Sequence, residues 1–416
     1  MIRLLLTRIV PLLVLLVALF VGWLSRFPIP EAVLFAMAIP LTKGYLPVMW
    51  TGGFKESLTP PLSELDALIL DPRPANENFI QLPGVAEKEV AEEEEGQEDA
   101  FDAHDVEAAL DEYAAFQMPQ QGLGMCCRPS AYDPESVRRT ILWYLKLGGR
   151  HIDTADLYLN HAWIGEALQT AMNDFGIARE DIWITTKLWP RHYGPNATAV
   201  AVERMLKELK LDYVDLVLMH APSMEKFLKP LGAKAECDVL KLSAKECRQE
   251  TWKALSSVRA TGQVHHIGVS NFNVRQLQDL QALGDAVAPI ANNQFQYNPW
   301  VPEYQHETFD YCQQHGIAVT AYASFAGSFM QHMQAFSVET LQRIANHHTT
   351  TVPQILLTWA MQKGAIVIPG TGNPKHMAEN LKAYDIELTA QDMADIDTLR
   401  NDESAKQFFI MPPDDS

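Results

Sequence analysis

Seven short apolar runs, separated by amphipathic segments, recur through the last three quarters of the chain and constrain its fold more than any other feature. Stretches such as PESVRRTILWYLKLG and ATAVAVERMLKELK, which lie between runs, have helical periodicity. The runs read as buried strands and are HIDTA, DIWITTKLW, VDLVLMHA, VHHIGVSN, NNQFQY, AVTAYAS and AIVIPG. With QGLGM as an opening strand there are eight βα units, which fit an α/β fold of the (β/α)8 TIM-barrel type better than an open sheet.

The amino-terminal fifty residues have a different character and are predicted to form a membrane anchor. Residues 9–24, IVPLLVLLVALFVGWL, are apolar and are flanked by Arg3, Arg8 and Arg26. This run is slightly short of the roughly 20 residues of an average transmembrane helix. No clear small-x-small cleavage site follows, so a transmembrane helix is favoured over a cleaved signal peptide or a buried helix. Residues 32–50 form an interrupted apolar run typical of an interfacial or re-entrant segment.

A charged segment separates this anchor from the barrel, which is expected over residues 113–416. Residues 51–112 are rich in proline, glutamate and alanine, the composition of a mostly disordered linker. Residues 85–112 carry thirteen acids against one lysine, so most of the formal net charge of −19 lies there. Nucleic-acid binding is therefore not expected, and the acidic segment does not identify a protein partner.

The cysteines indicate neither a metal site nor a disulfide scaffold. They lack paired CxxC spacing, and five cysteines in 416 residues are too few for a scaffold of that kind. No metal is therefore expected. The cysteines do not distinguish an oxidising from a reducing compartment. The five are Cys126, Cys127, Cys237, Cys247 and Cys312.

Polar residues at the carboxyl ends of barrel strands are the candidates for catalysis, since active sites of such barrels lie at that face. Asp153 and Tyr158 follow the second strand, Lys187 ends the third, and His220 ends the fourth. Each also has an ordinary interpretation: Asp153 as a helix cap or strand-end ion pair, and His220 as a hydrogen-bonded core histidine. Lys187 is harder to explain this way, because lysine is almost never buried without a partner.

Five motifs in register resemble those of the aldo-keto reductases across roughly residues 117–400. They are GGRHIDTADLYLN, ITTKLW, DLVLMHAP, HHIGVSNFN and IPGTGNPKHMAEN. The resemblance implies a nicotinamide-dependent reductase of aldehydes or ketones. It also implies a catalytic tetrad of Asp153, Tyr158, Lys187 and His220.

Elementary chemistry agrees with that assignment. Hydride addition to a carbonyl leaves an alkoxide that needs a proton, and a tyrosine with a pKa near 10 is a reluctant donor. Lys187 is expected to lower the pKa of Tyr158, while Asp153 pairs with Lys187 so that neither charge is buried alone. His220 is expected to hydrogen-bond the substrate oxygen and stabilise its developing charge.

The resemblance also implies the cofactor, NADPH with NADH as a second possibility, and its binding residues. The nicotinamide carboxamide would be held by Ser270, Asn271 and Gln294, and the nicotinamide ring would stack on Tyr322. The adenosine phosphates would be bound by the last βα loop, with Gly370, Thr371, Gly372 and His376. The adenine would be contacted by Glu379 and Asn380.

Three departures from the family pattern limit what the resemblance implies. Asn160 is followed by His161 where the family has glutamate, and Ala323 stands where serine is frequent. Residues 223–250 form a longer connection than usual at the face that shapes the substrate pocket. The carbonyl substrate is therefore not identified by the resemblance.

The segment expected to bind the 2′-phosphate also departs from the family. Relatives with a strong NADPH preference offer a lysine, a hydroxyl and an arginine there, whereas this chain has Gly370, Thr371 and His376, with Lys375 adjacent. We expect a modest advantage of NADPH over NADH that grows as the pH falls from about 8 to about 6 and His376 is protonated. The substitution His376→Arg should then make the preference independent of pH.

Two further points stay open in the sequence. The alternative function is a catalytically weak nicotinamide-binding barrel that acts as a redox sensor or scaffold. The flanking arginines weakly favour a cytosolic amino terminus, which for a single span places the barrel in the lumen. A re-entrant segment at residues 32–50 would return the barrel to the NADPH-rich cytosol, and we favour this topology. The sequon NAT at Asn196 offers a check, because glycosylation there would show that the barrel is in the lumen.

Overall fold

The computed structural model describes residues 79–81, 117–223, 235–326 and 335–401. The predicted span at residues 9–24, the segment at 32–50 and most of the predicted linker lie outside these ranges. None of the helices within them has the length and apolar character required to cross a bilayer. The anchor therefore stays a prediction.

Eight parallel strands form the sheet, and their order in space follows their order in the chain. At its two ends, Gln121 and Val367 form a parallel bridge, and the amide of Gly122 donates to the Val367 carbonyl at 2.8 Å. The sheet thus closes on itself, and the eight predicted strands are confirmed. They are β3 (Leu123–Gly124), β4 (His151–Asp153), β5 (Trp183–Leu188), β6 (Val214–Met219), β7 (Val264–Ser270), β8 (Asn292–Gln296), β9 (Ala318–Tyr322) and β10 (Ala365–Val367).

Helices follow these strands in the βα order that the sequence predicts. Local signals begin several of them: Asp133 accepts from Ser136 N just before a helix that opens with Pro134, and Ser243 and Glu246 form a capping box. The described helices are α1 (Pro134–Lys146), α2 (His161–Phe175), α3 (Ala197–Leu209), α4 (Glu236–Leu240), α5 (Ala244–Arg259), α6 (Val274–Gln281), α7 (Glu303–Gln314), α8 (Glu339–His347), α9 (Val352–Gln362), α10 (Pro374–Leu381) and α11 (Ala390–Asp397).

Two short strands precede the barrel and pair antiparallel. Strand β1 (Phe79–Gln81) pairs with β2 (Gln117–Pro119), with Ile80 opposite Met118. Met118 is fully buried and packs in one apolar cluster with interior residues of the barrel, including Leu216 and Ile366. Strand β1 lies inside the segment predicted as linker, so ordered structure begins earlier in the chain than residue 113.

Alternation along the strands decides which side chains enter the barrel. Leu216 and Leu218 of β6 belong to the interior cluster, whereas Val217 and Met219 pack in the larger core under the helices. His220, immediately after β6, is two residues beyond Leu218 and therefore lies on the same interior face. The same alternation places Lys187 of β5 on the face of Trp183, which belongs to the interior cluster.

The long connection after β6 contains a cysteine pair. Cys237 on α4 and Cys247 on α5 are bonded, with a Cα–Cα distance of 5.6 Å. Glu236, beside the first of them, accepts from the amides of Asn196 and Ala197 at 3.0 and 2.8 Å. The described part of the connection is therefore held to the start of α3. The sequence did not predict this pairing.

Candidate active site

The carboxyl ends of β4, β5 and β8 bring three polar side chains into one buried group. Lys187 Nζ donates to Asp153 Oδ1 at 2.5 Å, and Gln294 Nε2 donates to Asp153 Oδ2 at 2.7 Å. Lys187 and Asp153 are 1% and 2% exposed, so an uncompensated charge would be strongly destabilising here. The structure forms the ion pair expected from the sequence.

Tyr158 lies beside this ion pair at the end of a short 3-10 turn, Asp156–Tyr158. Its ring centroid is 5.1 Å from Lys187 Nζ and 5.6 Å from the imidazole of His220. Desolvation raises the pKa of Tyr158 well above its ordinary value, and the charge of Asp153 adds to the effect. The expected lowering of the Tyr158 pKa is therefore wrong for this structure, because burial and the charge of Asp153 raise it. The phenol stays protonated, as a proton donor must.

His220 completes the predicted tetrad and is neutral at physiological pH. Burial, reinforced by the charge of Lys187, holds the pKa of His220 well below its ordinary value. The ring lies edge-on between Tyr158 and Trp189, 5.6 Å from each centroid. No group in the described ranges hydrogen-bonds its buried Nδ1. A neutral imidazole with an orphaned ring nitrogen is suited to contact a polar substrate atom.

The residues predicted to hold the nicotinamide lie together on β7, β8 and β9. Ser270 Oγ donates to the carbonyl of Gln294 at 2.8 Å, and Asn271 Nδ2 donates to Ser270 Oγ at 3.0 Å. Tyr322 Oη donates to Asn271 Oδ1 at 2.7 Å, and Asn271 Nδ2 also donates to the carbonyl of His220 at 3.1 Å. This network joins the predicted nicotinamide contacts to the tetrad. The stacking role of Tyr322 stays a prediction.

The residues predicted to bind the adenosine half follow β10 and begin α10. Thr371 Oγ1 accepts from Asn373 N at 3.1 Å, and the Asn373 side chain caps α10 by accepting from Lys375 N at 2.9 Å. Gly370 and His376 are exposed, and Gly372 is half-buried. Farther along α10, Glu379 is exposed and Asn380 is buried. The loop and helix are placed as expected, while each ligand contact stays a prediction.

A second charged network supports the turn that carries Tyr158. Asp156, 4% exposed, accepts from Arg204 Nη2 at 2.8 Å and lies 2.7 Å from His192 Nδ1. Burial alone would raise the pKa of Asp156, but these two partners hold it below its ordinary value. His161, the departure from the family pattern, lies 3.2 Å from Glu208 and 2.9 Å from Thr186 Oγ1. The substituted position therefore links α2 to α3 and β5.

Two residues near these groups were not predicted from the sequence. Trp189 flanks His220, and Arg128 lies beside Gly370 in the loop after β3. The rule that polar residues after barrel strands are functional candidates selects Arg128 if it is applied to the first strand as well. No comparable sequence signal marks Trp189, whose position follows from the packing of its ring.

Comparison with known proteins decides the family. The sequence profile described as the Aldo/keto reductase family matches residues 122–401, about two thirds of the chain. The chain belongs to the aldo/keto reductase family. Its barrel is therefore that of a known enzyme family, and the motifs on which the resemblance rested lie within the matched residues.

Individual relatives cover the same part of this aldo/keto reductase. Glyoxal reductase of Bacillus subtilis is 33% identical over 69% of this chain and 91% of its own length. Glycerol 2-dehydrogenase (NADP(+)) of Saccharomyces cerevisiae is 32% identical over 73% of this chain and 94% of its own. The structure of the Bombyx mori aldo-keto reductase AKR2E4 in complex with NADP is 28% identical, with a TM-score of 0.61, over 71% of this chain and 92% of that one.

The arrangement fits a nicotinamide cofactor. A hydroxyl and two carboxamides, on Ser270, Asn271 and Gln294, lie next to a protonated phenol and a neutral imidazole. At the other end, a Cβ atom on Gly372 would lie 2.6 Å from Ser130 Oγ, so the β10–α10 loop lies directly against the Ser130 side chain of the β3 loop. Polar groups for the nicotinamide and a glycine-containing loop at the start of a helix, where backbone amides can bind phosphates, are both present.

Proposed function

We propose that this aldo/keto reductase reduces aldehydes or ketones to alcohols with NADPH, and that Tyr158 is the general acid. The observation that carries the proposal is the position of Tyr158, which lies 5.1 Å from the buried Lys187 ammonium and beside His220. Named relatives that reduce glyoxal or oxidise glycerol with NADP, and the NADP complex of the silkworm protein, support the reaction type.

The reduced nicotinamide would supply the hydride, and the protein residues stabilise the developing negative charge and donate the proton. His220, neutral at physiological pH, donates a hydrogen bond to the carbonyl oxygen and orients it. Tyr158 then donates its proton to the forming alkoxide. Lys187 stabilises the phenolate that is left, and Asp153 keeps Lys187 in position through the 2.5 Å hydrogen bond.

The experiment that tests this function separates it from a sensor or scaffold. The purified chain is incubated with NADPH and a panel of generic aldehydes and ketones, while NADPH oxidation is followed by absorbance and NADPH binding by fluorescence. We expect turnover of several carbonyls and saturable binding. Tight binding without turnover of any panel member would favour the sensor and would contradict the proposed reaction.

We also propose that residues 9–24 anchor the chain in a membrane and that the barrel faces the cytosol. The apolar length of this segment and the supply of NADPH in the cytosol support the proposal. The exposed Asn196, at the start of α3, belongs to the sequon NAT.

The side of the membrane is measured on sealed microsomes that contain the full chain. A cytosolic barrel should be digested by protease added outside, and Asn196→Gln should not change its electrophoretic mobility. A glycan at Asn196, or protection of the barrel from protease, would place it in the lumen. A Cys237–Cys247 disulfide that persists in the cell would support the same contrary conclusion, because disulfides accumulate in oxidising compartments.

A further inference from the structure

Two adjacent histidines at the end of α8 form a cluster with an aspartate of α11. His347 is the last residue of α8, His348 follows it as the carboxyl-terminal cap, and Asp392 lies in the first turn of α11. One potential metal ligand atom from each of the three lies within 4.8 Å of the other two. Imidazole nitrogen and carboxylate oxygen are common ligands of divalent transition metals. None of these residues takes part in the proposed reduction.

The spacing within the cluster matches that of neighbouring ligands on one ion. His348 Nε2 lies 3.0 Å from Asp392 Oδ2. Two ligands bound at about 2.0–2.1 Å to a tetrahedral ion are about 3.3 Å apart, so this pair needs little movement to bind one ion. Separations of up to 4.8 Å exceed that spacing, so His347, whose side chain is exposed, would turn inward on binding.

Asp392 is held in place as an ionised ligand. Its Oδ2 accepts from the amide and the hydroxyl of Thr389 at 3.1 and 2.7 Å, in the capping box that begins α11. Burial raises the pKa of Asp392, but hydrogen bonds from His348 and Thr389 hold it below its ordinary value. The carboxylate is therefore charged at physiological pH and already oriented, and both properties favour a bound cation.

A neighbouring ion pair joins the same two helices. Arg343, one turn before His347 on α8, donates to Asp395, one turn after Asp392 on α11. The carboxylate paired with Arg343 is therefore Asp395, whereas Asp392 faces His348. The carboxyl end of a helix also carries a partial negative charge, which favours a cation beside the two histidines.

We propose that His347, His348 and Asp392 bind a divalent transition-metal ion, with zinc as the expected ion. Two imidazole nitrogens and one carboxylate oxygen suit zinc better than magnesium or calcium, which prefer oxygen ligands. His348 binds through Nε2, and its ring proton then lies on Nδ1. Three protein ligands leave the fourth tetrahedral position to water. The ion links α8 to α11 and so stabilises the contact between them.

This proposal replaces the expectation of no metal, which rested on the cysteines. The cluster contains no cysteine, and Asp392 lies 44 positions beyond His348. A pair of adjacent histidines has none of the spacings typical of zinc sites, so the third ligand becomes visible only when α8 and α11 are in contact.

The test uses the full chain without an affinity tag, after a chelator has removed bound metals and has been dialysed away. Calorimetry with Zn²⁺ should show one ion bound per chain, and Co²⁺ should give the visible absorption of a tetrahedral site. His348→Gln and Asp392→Asn should each weaken Zn²⁺ binding by about 10-fold or more. His315→Gln, which removes an exposed histidine after α7, is the matched control and should leave Zn²⁺ binding unchanged.

Thermal unfolding separates loss of the ligand from a folding defect. Asparagine keeps an acceptor for Thr389, so Asp392→Asn should melt within a few degrees of the wild type when no metal is present. Saturating Zn²⁺ should raise the melting temperature of the wild type by several degrees and that of Asp392→Asn by much less. These measurements require neither NADPH nor turnover, so their outcome does not depend on the proposed reaction.

Two results would overturn the proposal. Equal Zn²⁺ affinity in the wild type, His348→Gln and Asp392→Asn would show that the ion binds elsewhere, and loss of that binding after alkylation of the cysteines would assign it to thiols. No binding at Zn²⁺ concentrations up to about 1 mM would show that the cluster is only an ion pair between two helices.

Discussion

Replacement of Tyr158 by phenylalanine should lower kcat by about 10²- to 10⁴-fold, the range typical of a lost general acid. Phenylalanine keeps the ring that packs against His220, 5.6 Å away, and removes only the hydroxyl that donates the proton. The dissociation constant for NADPH should stay within about 3-fold of wild type, since none of the predicted cofactor contacts involves Tyr158. Steady-state kinetics and fluorescence titration measure the two quantities.

The matched control for this variant is Tyr213→Phe, which removes a half-buried phenol just before β6, at the opposite end of that strand from His220, where its ring stacks on His265 at 4.2 Å. That variant should retain kcat within about 3-fold. Turnover by Tyr158→Phe close to that of wild type would refute the assignment of the proton donor. It would leave the family membership untouched.

Replacement of Lys187 by methionine should reduce both turnover and stability. The variant leaves Asp153, 2% exposed, without its cation, and breaking a buried ion pair in this way costs about 3–5 kcal/mol in the free energy of unfolding. Loss of the charge that stabilises the Tyr158 phenolate should also lower kcat by about 10²-fold or more. Denaturant unfolding and steady-state kinetics measure the two effects.

The stability loss in Lys187→Met should depend on pH with a defined sign. Burial raises the pKa of Asp153, and Lys187 supplies the charge that opposes this rise. Without Lys187 the folded state binds a proton that the unfolded state releases above its pKa of about 3.9, so stability falls as the pH rises. The deficit relative to wild type should be smaller at pH 5 than at pH 8. A deficit that does not change with pH would contradict this account of Asp153.

The double variant Asp153→Asn/Lys187→Met separates structural from catalytic effects. Asparagine keeps an acceptor for Gln294 Nε2 and removes the buried charge, so most of the lost stability should return. Turnover should stay low, because the cation beside Tyr158 is still missing. Equal stability of the single and double variants would show that the buried ion pair does not control folding at this site.

The barrel was predictable because its signal is local. Each of the eight strands is a short segment of its own between helical stretches, and the rule that parallel strands meet at their carboxyl ends brings Asp153, Lys187 and His220 together without knowledge of any contact. Strand β1 was missed because its three residues gain a partner only 36 or more positions away, at β2. Pairing at such a distance leaves no periodicity in a segment dominated by acids and prolines.

The parts of the site that escaped prediction depend on distances between separate elements. Arg128 lies beside Gly370 only because the first and last strands of the barrel are neighbours. The motif departure at His161 was visible, but its partner Glu208 is on another helix. The direction of the Tyr158 pKa shift depends on how deeply the phenol is buried and on the charge of Asp153 beside it, and residue identities contain neither.

Transfer of isotope from cofactor to product tests the central claim most directly. The wild-type chain is supplied with NADPH that carries deuterium at the transferable position of its nicotinamide C4, together with an aldehyde that it turns over. We predict an alcohol with one deuterium on the former carbonyl carbon, formed in equal amount to the NADP produced. An unlabelled alcohol, or no alcohol from a protein that binds NADPH tightly, would contradict the conclusion that this barrel is a carbonyl reductase.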